Sequence, residues 1–442
     1  MNARLDWISA PASALHGEIE IPGDKSVSHR AIMLAAIAEG RSRIHGFLEG
    51  ADTHAGAAIF EQLGVRIETP APGERIVHGA GLHGLRAPGG VLDCGNSGTA
   101  MRLLTGLFAG QSFDCTLVGD ASLSRRPMRR ITEPLGIMGA RIEAAAGELP
   151  PLRIRGRPLH GMEYTVPIAS AQVKSALLLA GLYARGATCI REPQPTRDYT
   201  ERMLAAFGWP IEFEAGRVKL DGGRRLHATE VAVPADFSSA AFFIVAATLI
   251  PGSELRLRGV GLNPRRTGLL RVLRAMGADI IEENPRESGG ESIADLLVRQ
   301  APLRATEMPA LVAPDMIDEF PILFVAATGA QGTTMIRGAQ ELRVKESDRI
   351  AVMASGLRAL GARIEETADG AIIQGGGLQG GEVDAQGDHR CAMAFAVAGA
   401  ITREPVRIRD CANVATSFPG FAEKANGSGM RVEIVPGQVS IS

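Results

Sequence analysis

The pentapeptide GARIE occurs twice in the chain, at residues 139–143 and 361–365, and four variants of it lie at similar spacing. Each copy places a glycine before Ile or Val and after an apolar stretch, which is typical of a helix end that leads into a strand. The intervals of 75, 69, 69, 84 and 68 residues predict six helix-to-strand corners in a repeated structure. These corner sequences are GVRIE at Gly64, GARIE at Gly139, GWPIE at Gly208, GADII at Gly277, GARIE at Gly361 and GMRVE at Gly429.

A second repeated feature lies about 40 residues before each corner: a turn of small or charged residues opens an Ala- and Leu-rich helical stretch. Dividing 442 residues by six gives about 74 per repeat, which is room for two helices and three or four strands. The six helix openings are IPGDKSVSHRAIML, DCGNSGTAMRLL, VPIASAQVKSALLL, VPADFSSAAFFIV, PDMIDEFPILFVAA and DHRCAMAFAVAG.

The repeat divides naturally into two groups of three, and similar Pro-small-Asp turns stand before the first and fourth helix openings. We therefore predict an α/β protein (α+β in the arrangement of its elements) with two domains. One is an inserted domain of residues 21–237, and the other is a discontinuous domain of residues 1–20 plus 238–442. The alternative is a large α/β protein in which six similar corners arose by chance.

Composition favours a globular protein outside the membrane, with 45% hydrophobic and 22% charged residues. The longest uncharged apolar stretches, 237–253 and 320–336, contain Pro or several Gly and are too short to cross a bilayer. The first residues, MNARLDWISAP, lack the apolar core of a secretory signal. We expect a cytoplasmic protein with no membrane partner.

Charge and motif content argue against several other classes. A net charge of −2 and 4% aromatic residues do not fit a nucleic-acid binder. The five cysteines form no CxxC pair, and the nine histidines form no HxH or HExxH pattern, so no metal site is expected. Neither a P-loop nor a GxGxxG sequence is present.

Lysine is rare in this chain: five lysines stand against 42 arginines. Lysine and arginine differ in donor geometry and in ease of deprotonation. A lysine within a polar motif, such as Lys25, Lys174 or Lys345, therefore hints that the ammonium group itself is needed there.

Four of the helix openings, and the arginine-rich stretch SLSRRPMRR, carry cations or small polar residues. Lys25, Ser26 and Arg30 follow a glycine turn, where unpaired backbone N–H groups and positive side chains would bind an anion. The alternative is a capped helix start with solvated charges. The same two interpretations apply to the others, whose candidate residues are Asn96, Gly98 and Arg102 in the second repeat, Arg126 in SLSRRPMRR, Ser170 and Gln172 in the third repeat, and Arg390 in the sixth.

Two acidic residues are candidates for proton transfer. Asp318 stands in the sequence among Ile317, Phe320 and Ile322, where loss of solvent would raise the pKa of its carboxyl group. If a helix runs through ELRVKESDRI, the side chains of Lys345, Glu346 and Arg349 share one face. A solvated ion-pair face is the alternative. Taken together, the helix openings predict a cleft between the domains that binds small polyanions.

Nine short motifs occur in this chain in the same order as in one known family. They are PGDKSVSHR, GNSGTAMR, RRPM, ASAQVKSALLLAGL, TRD, MIDEFPIL, LRVKESDR, DHR and ATSFP. Over nearly its whole length the chain resembles the 5-enolpyruvylshikimate-3-phosphate (EPSP) synthases, in wording closest to their second bacterial class. The resemblance implies a two-domain inside-out α/β barrel of six βαβαββ repeats, with the active site in the cleft.

The resemblance also implies a reaction and its residues. The enolpyruvyl group of phosphoenolpyruvate would pass to the 5-hydroxyl of shikimate 3-phosphate with release of phosphate, in a monomer without metal or organic cofactor. Asp318 would be the base for the hydroxyl, and Glu346 with Lys25 would handle the proton added to the methylene carbon. The shikimate 3-phosphate ligands would be Lys25, Ser26, Arg30, Ser170, Gln172, Arg197, Asp318 and Lys345. The phosphoenolpyruvate ligands would be Lys25, Asn96, Gly98, Arg126, Gln172, Arg349 and Arg390.

Three positions bear on how far the resemblance extends. Ala415 and Thr416 stand where some relatives have a phosphate-binding lysine, and Ala171 stands where others have serine. Gly98 stands where glyphosate-tolerant relatives have alanine, so we expect this chain to be inhibited by that phosphoenolpyruvate-like herbicide.

Three rival functions remain open from the sequence. UDP-N-acetylglucosamine enolpyruvyl transferase shares the architecture but uses a loop cysteine that has no counterpart here. An RNA 3′-phosphate cyclase would need a nucleophilic histidine and a nucleotide pocket. The third rival is a non-catalytic anion-binding repeat protein.

Overall fold

A computed structural model describes residues 5–437, which fall into two compact units. The discontinuous unit contains residues 5–22, 235–287 and 291–437, and the inserted unit contains 23–234 together with the short segment 288–290. The unit boundaries therefore fall after Pro22 and Pro234, whereas the sequence placed them after residues 20 and 237. The outermost residues of the expected discontinuous domain, 1–4 and 438–442, lie outside the described part of the chain.

The discontinuous unit contains six helices and eleven strands within the described residues. Its helices are α7 Phe237–Leu249, α8 Gly268–Ala275, α9 Phe320–Thr328, α10 Arg349–Ala359, α11 His389–Ala400 and α12 Phe421–Ser428. Its strands are β1 Leu5–Ala10, β2 His16–Glu20, β17 Glu254–Gly261, β18 Asp279–Ser288, β19 Glu291–Arg299, β20 Thr333–Ile336, β21 Arg363–Thr367, β22 Gly370–Gln374, β23 Gly381–Asp384, β24 Val406–Arg409 and β25 Arg431–Pro436.

The inserted unit is built in the same way. Its helices are α1 Lys25–Ile37, α2 Ala51–Gln62, α3 Gly98–Ala109, α4 Arg129–Ile137, α5 Ala171–Gly181 and α6 Tyr199–Ala206. Its strands are β3 Glu39–His45, β4 Arg66–Glu68, β5 Glu74–Ala80, β6 Leu92–Asp93, β7 Asp114–Val118, β8 Arg141–Ala145, β9 Leu149–Arg155, β10 Leu159–His160, β11 Glu163–Thr165, β12 Ala184–Arg185, β13 Ala187–Arg191, β14 Ile211–Glu214, β15 Arg217–Asp221 and β16 Glu230–Ala232.

Six sheets repeat one pattern, in which a parallel pair of strands is followed by two antiparallel neighbours. The orders are β16-β3-β5-β4, β6-β7-β9-β8 and β11-β13-β15-β14 in the inserted unit, and β2-β17-β19-β18, β20-β22-β21 and β23-β24-β1-β25 in the discontinuous unit. In the sheet of β20, isolated parallel bridges such as Glu307 to Met335 stand in for the missing first strand. With two helices each, the repeats have the expected βαβαββ form.

Strands that are distant in sequence complete one sheet in each unit. In the inserted unit, β16 pairs in parallel with β3 although about 190 residues separate them. In the discontinuous unit, β1 lies between β24 and β25 as an antiparallel partner of both. These pairings hold the chain segment that starts each unit against the segment that ends it.

All six predicted corners are confirmed. The corner glycines, from Gly64 to Gly429, have φ between +79° and +113°, a left-handed conformation that side chains disfavour. At each corner the residue after the glycine donates to a carbonyl five positions earlier, as Val65 N does to Phe60 O at 3.0 Å. This is the hydrogen bond of a Schellman helix end, and it turns the chain directly into the next strand.

The first helix of each repeat is buried, which makes each unit an inside-out α/β barrel. In α7, for example, residues 237–248 are all buried, and in α9 every residue is. A helix that is apolar on all sides has no face for solvent and must lie inside. The cores of the two units consist of these helices and of the inward faces of the sheets.

Three further observations concern the described residues as a whole. No helix among them is long and apolar enough to span a membrane. No group of three or more His, Cys, Asp or Glu side chains in residues 5–437 is arranged to hold a metal ion. The cysteines are unpaired, and all but the half-buried Cys189 are buried.

Candidate functional site

In the inserted unit, most of the predicted binding residues lie at or beside the N-terminal ends of the buried helices α1, α3 and α5, whereas Arg197 lies before α6. Three side chains cap these helices: Asp24 accepts from Val27 N, Ser97 from Ala100 N and Ser170 from Val173 N. The caps satisfy some of the free N–H groups, and the positive end of each helix dipole still favours an anion. Ser170 is therefore a cap, as its sequence context also allowed.

Lys25, the first residue of α1, forms an ion pair with the buried carboxylate of Asp52. Ser26 follows it, and the carbonyl of Ser26 accepts a hydrogen bond from Arg30 Nη1 at 2.9 Å. The Lys25 side chain keeps about a fifth of its surface exposed, so the buried partner holds the lysine without burying it completely.

Asn96 and Arg126 are bound to each other beside Gly98. Arg126 Nη2 donates to Asn96 Oδ1 at 2.9 Å, and Arg126 Nη1 donates to the Asn96 carbonyl at 3.2 Å. A Cβ on Gly98 would lie 3.1 Å from Arg126 Nη1 and 2.9 Å from Arg102 Nη1. Because the glycine has no side chain, two guanidinium groups approach the start of α3 closely.

Arg126 is the buried member of the arginine cluster in SLSRRPMRR, and Arg125 and Arg129 are exposed. The next helix, α4, begins only at Arg129 with Met128 as its N-cap, so Arg126 lies in the segment before it.

Gln172 links the starts of α3 and α5. Its Oε1 accepts from Arg102 Nη1 at 2.8 Å, and its Nε2 donates to Thr99 Oγ1 at 3.0 Å. The chain thus brings Asn96, Gly98 and Arg126 into one group with Gln172, although about 75 residues separate the two motifs.

Arg30 is buried and is held by hydroxyl groups. Its Nε donates to Thr200 Oγ1 at 2.7 Å and its Nη2 to Ser175 Oγ at 2.8 Å. Burial lowers the pKa of Arg30 to about 10, and the nearby charge of Arg197 acts in the same direction. Arg197 itself is half-buried in the loop before α6.

His29 connects the first two helix starts. Its Nε2 lies 3.0 Å from Ser97 Oγ. Burial, with help from the charges of Lys25 and Arg30, lowers the pKa of His29 to about 3, so the imidazole is neutral at neutral pH. His29 was not among the site residues predicted from the sequence.

In the discontinuous unit, Arg349 is the centre of the group. The guanidinium is 1% exposed and binds three carboxylates: Asp388 Oδ2 at 2.8 Å from Nε, Glu346 Oε2 at 2.5 Å from Nη2, and Asp318 Oδ1 at 3.3 Å from Nη1. Burial alone would lower the pKa of Arg349, but these three carboxylates outweigh it and raise the pKa.

Asp318 has a different environment from the one its sequence neighbours suggested. Its carboxyl oxygens lie within 3.7 Å of the guanidinium groups of Arg266, Arg349 and Arg390. Arg390 Nη1 also donates to the Asp318 carbonyl at 3.4 Å. Cations at this range favour the ionised carboxylate, the form that a general base requires.

The helix that we considered through ELRVKESDRI is not formed there. A single helical turn ends at Val344, and α10 begins only at Arg349, capped by Asp348. Lys345 and Glu346 therefore lie in the connecting segment, half-buried, and do not share a helix face with Arg349. The Glu346 to Arg349 ion pair forms nevertheless, because the segment folds back over the start of α10.

Arg266 was not predicted from the sequence, in which the fourth helix opening, VPADFSSAAFFIV, contains no lysine or arginine. Arg266 is 2% exposed and binds Asp236, the cap of α7, at 3.2 Å and Glu319, the cap position of α9, at 2.8 Å. It also hydrogen-bonds Ser238. The sequence did contain a signal at the fourth helix opening, because Asp236 precedes its helix there as Asp24 and Asp388 precede theirs.

Comparison with known proteins agrees with this architecture. The family model for EPSP synthase (3-phosphoshikimate 1-carboxyvinyltransferase) matches residues 9–425. A 3-phosphoshikimate 1-carboxyvinyltransferase of Xanthomonas campestris pv. campestris (strain B100) is 62% identical over 436 residues, covering 98% of this chain and all of that protein. One of Xanthomonas oryzae pv. oryzae (strain PXO99A) is 63% identical over 428 residues, covering 97% of each.

The solved structures give the same result. An EPSP synthase structure from Acinetobacter baumannii superposes with a TM-score of 0.87 at 49% identity and covers 97% of this chain and all of that one. The fold and the grouped polar residues define a two-unit α/β transferase. The chain belongs to the EPSP synthase family.

Proposed function

We propose that this chain catalyses the family reaction through the residues grouped above. It is a 3-phosphoshikimate 1-carboxyvinyltransferase of aromatic amino acid biosynthesis: the enolpyruvyl group of phosphoenolpyruvate passes to the 5-hydroxyl of shikimate 3-phosphate, and inorganic phosphate leaves. The relatives named above support the reaction. The residue roles are our assignment.

One observation carries the assignment of the proton transfers. Asp318 and Glu346 share the buried guanidinium of Arg349, so two carboxylates are fixed close together in different surroundings. The addition step removes a proton from an alcohol and adds one to a carbon, and this needs two groups with different roles. Asp318 accepts the 5-hydroxyl proton, and Glu346 with Lys25 supplies the proton to the methylene carbon.

Electrostatic binding of the substrates follows from the remaining residues. In our proposal, Arg126 with Asn96 and Arg349 with Arg390 hold phosphoenolpyruvate, whose central carbon becomes cationic beside a carboxylate. Ser26, Arg30, Ser170, Gln172, Arg197 and Lys345 bind shikimate 3-phosphate, and Lys25 contacts both substrates. Each unit supplies part of this set, and the proposal requires both parts to act on the same pair of substrates.

A phosphate-release assay tests the proposal. With both substrates, the wild-type chain should release phosphate in proportion to enolpyruvyl product, and UDP-N-acetylglucosamine in place of shikimate 3-phosphate should give none. Asp318→Asn and Glu346→Gln each keep the side-chain shape, and each should lower kcat by about 10² to 10⁴-fold, the usual worth of a positioned acid or base.

The exposed Glu365 on β21 offers a control, because Glu365→Gln changes charge in the same unit away from the group and should leave kcat unchanged. Full activity in the Asp318 variant would refute its role as the base. A monomer that works in the cytoplasm without metal or organic cofactor remains our prediction.

A further inference from the structure

A buried ionic cluster in the inserted unit has no role in the reaction assigned above. Lys174, at the fourth residue of α5, binds Glu192 Oε2 at 2.8 Å and Glu201 Oε1 at 2.7 Å. Each of the three side chains is only 3% exposed. The sequence had already marked Lys174 as one of few lysines in an arginine-rich chain.

The cluster uses all the donors of the ammonium group. Besides the two carboxylates, Lys174 Nζ donates to the carbonyl of Thr196 at 3.4 Å. An ammonium group has three N–H donors, and three acceptors match them, two in the loop of residues 192–196 and one on α6. Arginine would present a planar fork of five donors to the same acceptors, which explains why lysine stands here.

Glu192 closes the loop that begins at the end of β13. One of its oxygens accepts the hydroxyl hydrogen of Thr196, and the other accepts from Thr196 N at 3.4 Å. Between these two residues the chain reads Pro-Gln-Pro, and each proline fixes its own φ. The five-residue loop is therefore clamped at both ends and stiff in between, and the next residue is Arg197.

A neighbouring bridge holds the same helices. Ser175 follows Lys174 and Thr200 precedes Glu201, and their hydroxyls bind each other at 2.7 Å and both bind Arg30. The starts of α1, α5 and α6 are thus joined by one buried polar network. In our proposed function, these helix starts carry the residues that bind shikimate 3-phosphate.

We propose that Lys174, Glu192, Thr196 and Glu201 position Arg197 for shikimate 3-phosphate without touching the substrate themselves. The inference rests on the proposed function, in which Arg197 is a ligand of that substrate. Burying an ammonium group and two carboxylates is costly, and such clusters are a poor means of gaining stability alone. A fixed loop geometry before Arg197 is what this cluster provides.

Thr196 gives the sharpest test, because Thr196→Val removes the hydroxyl and keeps the shape, and Thr196→Ser keeps the hydroxyl. We expect Thr196→Val to raise KM for shikimate 3-phosphate roughly tenfold, the loss of one orienting hydrogen bond, with KM for phosphoenolpyruvate changed less than about twofold. Thr196→Ser should remain near wild type. Thr188→Val, at a buried threonine on β13, is the matched control and should change neither KM.

A double-mutant cycle separates positioning from a merely structural role. If the cluster acts through Arg197, then Thr196→Val should have no further effect on KM in an Arg197→Ala background. Effects that multiply in the double variant, or equal effects of Thr196→Val and Thr196→Ser, would overturn the inference. An unchanged KM in Arg197→Ala alone would also overturn it.

Lys174→Met, with Lys219→Met as its control in the same unit, should show the same change in KM if the variant folds. Because Lys174→Met leaves two buried carboxylates without their cation, the test is decided by the Thr196→Val and Thr196→Ser variants. Failure of the proposed function would be seen differently, as absence of phosphate release by the wild-type chain.

Discussion

Two buried arginines, Arg349 in the discontinuous unit and Arg30 in the inserted unit, are held in different ways. In the discontinuous unit, Arg349 binds the carboxylates of Asp388, Glu346 and Asp318, so that the positive charge is matched by negative charge nearby. In the inserted unit, Arg30 is held by the hydroxyls of Ser175 and Thr200 and by a backbone carbonyl. The hydrogen-bond partners of this guanidinium are neutral oxygens, and the carboxylates of Glu201 and Asp24 act on it through space.

The difference has a chemical meaning. A cation whose hydrogen-bond partners are neutral keeps its attraction for a phosphate or carboxylate ligand. A cation that holds several carboxylates also fixes those acids in place. We infer that Arg30 mainly serves anion binding, whereas Arg349 also holds the two carboxylates to which we assign the proton transfers.

The largest expected effect comes from removing an arginine in each unit. Arg349→Met leaves three carboxylates near one another without their cation and should lower the free energy of unfolding by about 3–5 kcal/mol. Arg30→Met removes hydrogen bonds to neutral oxygens and should cost about 1–2 kcal/mol. Denaturant unfolding of both variants measures the difference. Equal losses would show that the two arginines are held alike.

The second prediction concerns pH and His29. Its pKa of about 3 in the folded chain lies below the ordinary value of 6.5, so the unfolded chain binds more protons between these values. Stability should therefore fall as pH drops below about 6.5, and this residue should account for about 2–3 kcal/mol by pH 4.5.

Replacement of His29 by glutamine should remove this part of the acid sensitivity, and unfolding curves from pH 7 to 4.5 measure it. Gln62→Ala, at an exposed residue of α2 that has no ionisable group, is the control and should leave the slope unchanged. The same slope in wild type and His29→Gln would show that burial and the charges of Lys25 and Arg30 do not lower the pKa of His29 in the folded chain.

The smallest expected effect is at Gly98. The wild-type chain should be inhibited by glyphosate, and full turnover at high inhibitor concentration would refute that expectation. The methyl group of Gly98→Ala would press on the tips of Arg102 and Arg126, which are flexible enough to shift. We expect a cost of about 1–2 kcal/mol in inhibitor binding, seen as a roughly tenfold higher inhibition constant, with a smaller rise in KM for phosphoenolpyruvate.

Much of the fold could be predicted because its signals are local. The corner glycines are required wherever a helix must end in a left-handed residue, so they mark all six corners in the sequence as in the structure. The apolar helices after each opening are buried as expected. The helix considered through ELRVKESDRI in the fifth repeat begins later than the sequence suggested. LRVKES is rich in helix-forming residues, but the cap at Asp348 decides where α10 begins.

The site was predictable in part. Motif order identified Asn96, Gly98 and Arg126 as one group, and the structure brings them together. Asp318 was assigned an apolar environment from its chain neighbours, whereas three arginines from distant segments surround it. Arg266 was missed for the same reason, since its partners lie about 30 and 53 residues away.

The sequence by itself determined the sixfold repeat, the helix ends and the family, because glycine conformation, helix caps and apolar periodicity act over a few residues. Only the tertiary structure decided which carboxylate faces which cation, as with Lys174 between Glu192 and Glu201. Electrostatic energy depends on distance and burial in space, and a linear sequence does not contain these until the helices have packed.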